Sequence, residues 1–243
     1  MVTSIAAARG GPARAGAALR AELGELMADG ARRLCDHPYY QGLRDGTLPG
    51  AALLHFTLQD SCHLLPGYGR AQARCSVLAR DDRQAAVLSR MATGALDDCT
   101  ARLAGLHATA ERLGLELPLP AGEEKPPIAP TTLGYVSFLG NATAGSLGAA
   151  IGAVLPSAWL YMLVTDDLLE RHDPGARYAA EVVKAHPGEF YRGMLADFLD
   201  LAEQVADTSS AAEQRELVRN AGHAVRYEWA FVDAAWRQEG WPF

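Results

Sequence analysis

Apolar residues recur at steps of three and four along most of this chain, which is the spacing of one face of an α-helix. The first such stripe consists of Leu19, Leu23, Leu26, Met27 and Leu34. Nowhere do β-branched and polar residues alternate over the length of a strand. The pattern therefore predicts an all-α chain.

Prolines mark the ends of the early helices. Pro38 ends the first helix. Pro49 begins the second, because proline at a helix start lacks only an N–H that would be unpaired anyway. We expect this second helix to run toward Arg80 and to be kinked at Pro66-Gly67.

Acidic residues and glycines delimit the middle of the chain. Asp81 or Asp82 caps a third helix, which ends at Gly114. Residues 115–130 are rich in proline and are predicted to form a loop. A fourth helix begins at about Thr131.

Small residues fill positions 142–153, which predicts either a close helix–helix contact or a short break before a fifth helix that reaches Asp173. Shorter helices are predicted within 177–206, and the last helix covers 210–239.

The predicted breaks are of loop length, so they do not divide the 243 residues into separate domains. An apolar content of 49% is enough for one full core. We expect residues 1–16 to form a flexible N-terminal tail and residues 17–243 to form a single domain. Long helices joined by short connections give a helical bundle.

Charge and cysteine usage narrow the class of protein. A net charge of −7 argues against a nucleic-acid surface, which needs clustered basic residues. We expect no membrane span, because no apolar run reaches about 18 residues, and the N-terminus lacks the apolar segment of a secretory signal. Cys35, Cys62, Cys75 and Cys99 lack paired short spacing, so we expect reduced thiols inside helices and a cytoplasmic protein.

Three motifs carry most of the functional information. Residues 37–49 read HPYYQGLRDGTLP and are followed by Leu58-Gln59-Asp60, residues 155–161 read LPSAWLY, and residues 227–241 read YEWAFVDAAWRQEGW. In order and spacing these motifs resemble the TenA family, the thiaminase II or aminopyrimidine aminohydrolase enzymes of thiamin salvage. The resemblance extends over roughly residues 20–242.

The resemblance implies a haem-oxygenase-like multi-helix bundle, a small heterocyclic substrate and a homodimer or homotetramer. It also implies roles for two carboxylates. Glu228 matches the family's catalytic acid, and Asp60 matches the aspartate that hydrogen-bonds the amino and ring nitrogens of the pyrimidine.

The residues themselves are compatible with those roles. Glu228 lies between two aromatic residues, and desolvation on a buried face would raise its pKa and suit it to proton transfer. A structural glutamate paired with an arginine is the alternative. Asp60 has an apolar neighbourhood typical of a pocket wall, although a helix-surface aspartate is the plainer interpretation.

Three aromatic residues complete the implied pocket. Tyr135 and Tyr161 align with family tyrosines, which can hydrogen-bond through the hydroxyl and stack through the ring, and Phe231 belongs to the same implied binding set. A tyrosine at helical spacing is usually a plain core residue, and that alternative stays open for Tyr135 and Tyr161.

Ser157 occupies the position of the family's nucleophilic cysteine. A thiolate is reachable near neutral pH, whereas a serine hydroxyl needs a strong adjacent base. Three interpretations stay open: Ser157 only packs or hydrogen-bonds, water attacks directly with Glu228 as the base, or the pocket serves other chemistry.

Two histidines also depart from the family pattern. His63 follows Asp60 by three residues where the family has an aromatic side chain, and His186 aligns with a family tyrosine. The resemblance therefore implies that both histidines are substrate-binding residues. Asp60 and His63 share a helix face, and with Glu228 and His186 opposite they would offer oxygen and nitrogen metal ligands. Since the carboxylate and histidine motif of di-iron oxidases on this fold is absent around His223, we predict no metal and no cofactor.

The leading hypothesis is therefore a TenA-like hydrolase. One rival keeps the fold but changes the reaction, as in an enzyme of specialised metabolism with or without a metal. The other rival is a small-molecule-binding protein without catalysis, which loss of the nucleophile would explain.

Overall fold

The computed structural model describes residues 13–117 and 125–242, and its regular elements are all helical, which confirms the all-α prediction. The helices are α1 Ala13–Cys35, α2 Pro38–Asp45, α3 Gly50–Gln59, α4 Leu65–Leu78, α5 Asp82–Leu113, α6 Pro130–Ala142, α7 Leu147–Arg171, α8 Ala179–Ala185, α9 Gly188–Thr208 and α10 Ala211–Arg237. A π-helical turn, Asp60–Leu64, joins α3 to α4.

Helix α1 begins earlier than the predicted end of the tail at residue 16. The backbone N–H of Gly16 donates to Asp207 Oδ1 over 2.8 Å and ties the start of α1 to α9. Residues 1–12 of the predicted tail, and residues 118–124 of the predicted loop, lie outside the described residues.

Helix α2 was not predicted. Pro38 occupies its first turn, where a missing N–H costs nothing. The His37 side chain caps this turn, because its Nδ1 accepts the backbone N–H of Tyr39 over 3.1 Å. The segment after the first predicted helix is therefore a second short helix rather than a simple connection.

The second predicted helix contains an irregularity, one turn before the expected kink. It consists of α3, the π-helical turn and α4, and the N–H of Leu65 donates to the carbonyl of Asp60, five residues back. Pro66 follows directly and cannot donate to the carbonyl of Cys62. The widened turn lies where the proline has already removed an α-helical hydrogen bond.

Both alternatives for the small residues 142–153 occur together. The chain breaks between α6 and α7, and Ser146 caps α7 by accepting the N–H of Ala149 over 3.1 Å. Gly152 then lies against α10, where an added Cβ would come within 2.2 Å of the carbonyl oxygen of Leu217. Only a residue without a side chain permits this approach.

Helix α7 lies at the centre of the bundle and contacts α1, α9 and α10. We expected no segment that could span a membrane, but α7 is long and apolar enough to meet that criterion. However, 78% of its most apolar 18-residue window is buried within the protein. Its apolar composition is therefore explained by its place in the core.

The prediction for the cysteines is confirmed. Cys35, Cys62, Cys75 and Cys99 are all free and buried, and each lies within a helical element. Burial raises the pKa of the Cys75 thiol to about 12, so this group behaves as a small apolar side chain.

Candidate active site

The first motif, residues 37–49, acts mainly as a scaffold. Gly46 ends α2 with a left-handed backbone conformation, φ 82°. The N–H of Leu48 then donates a hydrogen bond to the carbonyl of Gly42 over 2.9 Å. Tyr178 donates its hydroxyl to the carbonyl of Leu48 over 2.7 Å. These contacts fix α2 and with it the direction of Tyr40.

The π-helical turn directs neighbouring side chains to different sides. Gln59 Nε2 donates to the carbonyl of Pro127 over 2.8 Å, while its Oε1 accepts the N–H of Ala129 over 2.9 Å. His63 Nε2 donates to the carbonyl of Pro126 over 2.8 Å. Gln59 and His63 thus bind the segment before α6, and Asp60 between them faces α5 and α7.

Glu228 on α10 faces the same interior region. The Tyr135 hydroxyl donates to Glu228 Oε1 over 2.6 Å, and the Ser157 hydroxyl is near enough to this carboxyl group to lower its pKa. Burial raises the pKa of Glu228, the hydroxyl groups of Tyr135 and Ser157 oppose that rise, and the negative charge of Asp60 adds to it. A buried carboxyl group with a raised pKa is better suited to taking up and returning a proton than an ordinary glutamate.

Asp60 is paired with an arginine that the motifs did not indicate. Arg102 on α5 donates through Nη1 to Asp60 Oδ2 over 3.1 Å and through Nη2 to the Tyr161 hydroxyl over 3.2 Å. Burial raises the pKa of the Asp60 carboxyl, and the positive charge of Arg102 opposes that rise.

Ser157 and Tyr161 lie one turn apart on the same face of α7. Both are partly exposed, whereas positions 156, 158, 160 and 162 around them are buried. The Tyr161 hydroxyl donates its proton to the carbonyl of Ala185 and accepts from Arg102. With that proton committed, the ring is the part of Tyr161 that remains for a ligand.

Two other tyrosines differ in how their hydroxyls are used. The Tyr135 ring stacks on Tyr227 at 5.0 Å between centroids, and its proton is committed to Glu228. Tyr40 is partly exposed, and within the described residues its hydroxyl has no hydrogen-bond partner. Burial, and then the charge of Glu228, raise the pKa of Tyr40, which places its hydroxyl within the field of that carboxylate.

The structure brings Glu228, Ser157, Asp60, Tyr135 and Tyr161 together around one region. Phe231 is buried behind them, and its ring meets Phe56 at 5.2 Å. His63 lies on the rim, engaged with the loop before α6.

His186 is engaged elsewhere. Its Nε2 donates to Asp166 Oδ1 over 2.9 Å and its Nδ1 accepts the N–H of Gly188 over 3.3 Å. Both ring nitrogens therefore have partners outside the set around Glu228.

Each of the four residues considered as metal ligands has another partner, and for Asp60 that partner is Arg102. His63 and His186 bind a backbone carbonyl and Asp166, whereas Glu228 binds Tyr135. Across the described ranges no group of three or more histidine, cysteine, aspartate or glutamate side chains is placed to hold a metal ion.

Tyr40 and Arg102 are the two residues that sequence reasoning missed. Tyr40 stands inside the quoted motif, and the tyrosine pair at 39–40 was the available signal: Tyr39 is buried whereas Tyr40 is partly exposed. Arg102 gave no signal, because with Asp98 four residues earlier it has the spacing of a surface ion pair.

The charges decide what this region can bind. Asp60 and Glu228 supply two carboxylates, and Arg102, already shared with Asp98, supplies one cation. Such a set favours a planar ligand that carries N–H groups over an anionic one.

Comparison with known proteins gives the family. The model of the TENA/THI-4/PQQC family matches residues 26–238. Aminopyrimidine aminohydrolase of Bacillus subtilis (strain 168) is 29% identical over 208 residues, covering 84% of each chain. The protein of the same name from Halalkalibacterium halodurans is 28% identical over 214 residues, covering 86% of this chain and 91% of its own.

Solved structures show the same fold. A TenA homologue from Pyrococcus furiosus superposes with a TM-score of 0.72 at 16% identity, covering 89% of this chain and 99% of its own. A TenA homologue from P. horikoshii OT3 gives 0.67 at 22% identity, covering 90% and 97%. These matches confirm the predicted haem-oxygenase-like bundle. The chain belongs to the TENA/THI-4/PQQC family.

Proposed function

We propose that this protein is a hydrolase that cleaves a C–N bond of an aminopyrimidine or a related amino heterocycle, as in thiamin salvage. The observation that carries the proposal is the pair of carboxylates, Asp60 and Glu228, that face one region from the π-helical turn and from α10. Two relatives of this chain are aminopyrimidine aminohydrolases, which supports the same class of substrate.

Asp60 recognises the heterocycle in this proposal. Arg102 occupies Oδ2, which leaves Oδ1 to accept an N–H from the exocyclic amino group or the ring. The Tyr161 ring gives a surface for stacking, and the unpartnered Tyr40 hydroxyl offers a further hydrogen bond. Phe231 supports the wall through Phe56.

Glu228 transfers the proton. As the ionised base it takes a proton from a water molecule that attacks the carbon bearing the leaving amine. The C–O bond forms, the C–N bond breaks, and Glu228 returns the proton to the departing nitrogen. Water and the amine thereby become an alcohol and ammonia, and Glu228 is regenerated. The Tyr135 hydrogen bond fixes which carboxylate oxygen remains for this exchange.

Ser157 supports Glu228 in this mechanism and does not attack the substrate. The group beside its hydroxyl that would have to deprotonate it is the Glu228 carboxylate, and a carboxylate is a weak base toward an alcohol. We therefore assign the protein to the branch of the family that lacks the nucleophilic cysteine.

The test combines turnover with a structure. Purified protein is incubated with 4-amino-5-aminomethyl-2-methylpyrimidine, ammonia release is measured, and crystals are soaked with the corresponding 5-hydroxymethyl product. We expect release of ammonia and a product whose amino edge lies on Asp60. Binding without turnover would favour the non-catalytic rival, and neither binding nor turnover would refute this class of substrate.

We place this activity in the cytoplasm, for which the four free, buried thiols give support. We also propose a homodimer or homotetramer, as the family resemblance implies, which light scattering after size exclusion would test.

A further inference from the structure

Arg102 makes three polar contacts with one guanidinium group. Besides Asp60 Oδ2 and the Tyr161 hydroxyl, its Nε donates to Asp98 Oδ2 over 2.7 Å. Its guanidinium carbon lies 5.7 Å from the centroid of the Tyr161 ring. The planar fork of arginine is the side chain that can bind several acceptors in fixed relative directions.

The three acceptors lie in different surroundings. The side chain of Asp60 is 13% exposed and that of Asp98 is 47% exposed, while Arg102 itself is 28% exposed. The Asp98 contact is therefore solvated and worth little energetically. The Asp60 contact is sheltered, where loss of a charged partner leaves a buried group unpaired.

Asp60 has one cation within contact distance in the described chain, and that cation is Arg102. The electrostatic surroundings of Asp60 come from five elements: Tyr39 and Tyr40 on α2, Cys62 on the same turn, Asp98, Cys99 and Arg102 on α5, Tyr161 on α7, and Glu228 on α10. The other ionisable members of this set are tyrosines, cysteines and carboxyl groups, none of which carries a positive charge. Arg102 is therefore the group that favours the ionised form of Asp60.

We propose that Arg102 is a positioning residue: it holds the Asp60 carboxylate and the Tyr161 ring in one fixed relation, and so sets both the acceptor and the stacking plane that a planar heterocycle meets. The proposal rests on the proposed function in taking Asp60 as the ligand-binding carboxylate. It adds a residue that the family motifs quoted above do not contain.

The first experiment needs no ligand. The carboxyl carbon of Asp60 is followed by ¹³C NMR against pH in protein carrying Glu228→Gln, so that Glu228 does not titrate, and is assigned by its loss in Asp60→Asn. We expect Arg102→Met to move the titration of Asp60 to higher pH, and Arg102→Lys, which keeps the charge, to restore most of the difference.

The control is Arg33→Met, which removes an exposed ion pair with Asp29 on α1 and should leave the Asp60 titration unchanged. An unchanged titration in Arg102→Met, in protein whose circular dichroism shows it folded, would overturn the proposal. So would an equal shift in Arg33→Met, because it would show that the loss of any ion pair moves the titration.

The second experiment measures binding of 4-amino-5-hydroxymethyl-2-methylpyrimidine by calorimetry to the same proteins. We expect Arg102→Met to weaken binding about tenfold or more at neutral pH, the scale of a hydrogen bond to a charged group. Because ligand protonation is common to all variants, the ratio of dissociation constants reports the protein alone. That ratio should grow as pH falls, by up to about tenfold per pH unit, while Asp60 takes up a proton in the variant but not in its parent.

A ratio that is flat with pH would overturn the proposal. Failure of the parent protein to bind the pyrimidine would instead refute the proposed function, and the NMR titration would then decide alone whether Arg102 positions Asp60. In the protein that retains Glu228, Arg102→Met should raise KM more than it lowers kcat, since the proton-transfer group is untouched.

Discussion

Glu228→Gln tests the assignment of the proton-transfer group most directly. The substitution preserves the shape of the side chain, and the Gln oxygen can still accept from Tyr135, which lies 2.6 Å from Glu228 Oε1. Only the capacity to take and return a proton is lost. General acid–base catalysis contributes about 10²–10⁴ in rate, which corresponds to about 2.7–5.4 kcal/mol of barrier. We expect kcat to fall by that factor.

Ligand affinity should change little, because Asp60 and Arg102 are untouched by the substitution. The assay is ammonia release under saturating substrate, with calorimetric binding of the product in parallel. Glu216→Gln is the control, since Glu216 pairs with Arg219 on the exposed side of the same helix. Near-normal kcat in Glu228→Gln would remove this residue from the mechanism.

The pH dependence gives the same test a second readout. Since burial raises the pKa of Glu228 above its ordinary value of 4.5, the base form is lost as pH falls through that raised value. Activity should therefore decline on the acid side at a pH above 4.5, and the residual activity of Glu228→Gln should lack this limb.

The contribution of Glu228 to stability should fall as pH rises, whereas its contribution to activity rises. A carboxyl group with a raised pKa binds its proton more tightly in the folded state than in the unfolded state. Its ionisation therefore costs stability as pH rises from 4.5 through the raised pKa, and the cost is constant above that pH. Glu228→Gln should unfold at a higher temperature than the wild type, by a margin that opens over this window. A margin that shrinks as pH rises would contradict the burial argument.

Five further outcomes are expected. Ser157→Ala should retain a substantial part of the hydrolytic activity; a loss of several orders of magnitude, or a covalent adduct on Ser157, would contradict this. Asp60→Asn should weaken product binding before it lowers kcat, which calorimetry and steady-state kinetics separate. Gly152→Ala should lower the free energy of unfolding by about 1–3 kcal/mol, because its methyl group would meet the carbonyl of Leu217. Gly222→Ala on α10, where nothing lies within 4 Å of the added carbon, should instead stabilise by up to about 1 kcal/mol in urea denaturation. Elemental analysis should find no stoichiometric metal in the purified protein; iron or manganese that is lost in His63→Ala would prove this wrong.

The helical architecture could be predicted because its signals are local. The apolar period, the prolines and the terminal glycine of α5 act within a few residues of the structure that they produce. Pro66 signalled an irregularity in the second helix, but the position and π-helical form of the turn at 60–64 could not be predicted, since they depend on how the turn packs against α5 and α6. For α2, the capping residue His37 and the first-turn Pro38 are visible in the sequence. However, a helix of eight residues is too short to show a recognisable apolar period.

The candidate site divides in the same way. Glu228 and Asp60 were named through motif resemblance, and the direction of the Glu228 pKa shift followed from the expectation of burial. Arg102 lies 42 residues from Asp60 along the chain, so only the fold brings them together. The use of each tyrosine hydroxyl was equally hidden, because the partner of Tyr161 is a backbone carbonyl that no side-chain pattern encodes.

The π-helical turn also limits which insertions and deletions this site can tolerate. Such a turn contains one residue more than an α-helical turn, and each residue of an α-helix advances the side chains by about 100°. Deleting a single position, for instance Ser61, would rotate Gln59 and the loop that it binds relative to Tyr68 on α4, which donates to the carbonyl of Val154 on α7. Every side chain of the candidate site could then be retained in sequence while their arrangement was lost. Among related sequences, the absence of insertions and deletions across residues 59–65 should therefore predict retention of the site better than residue identity does.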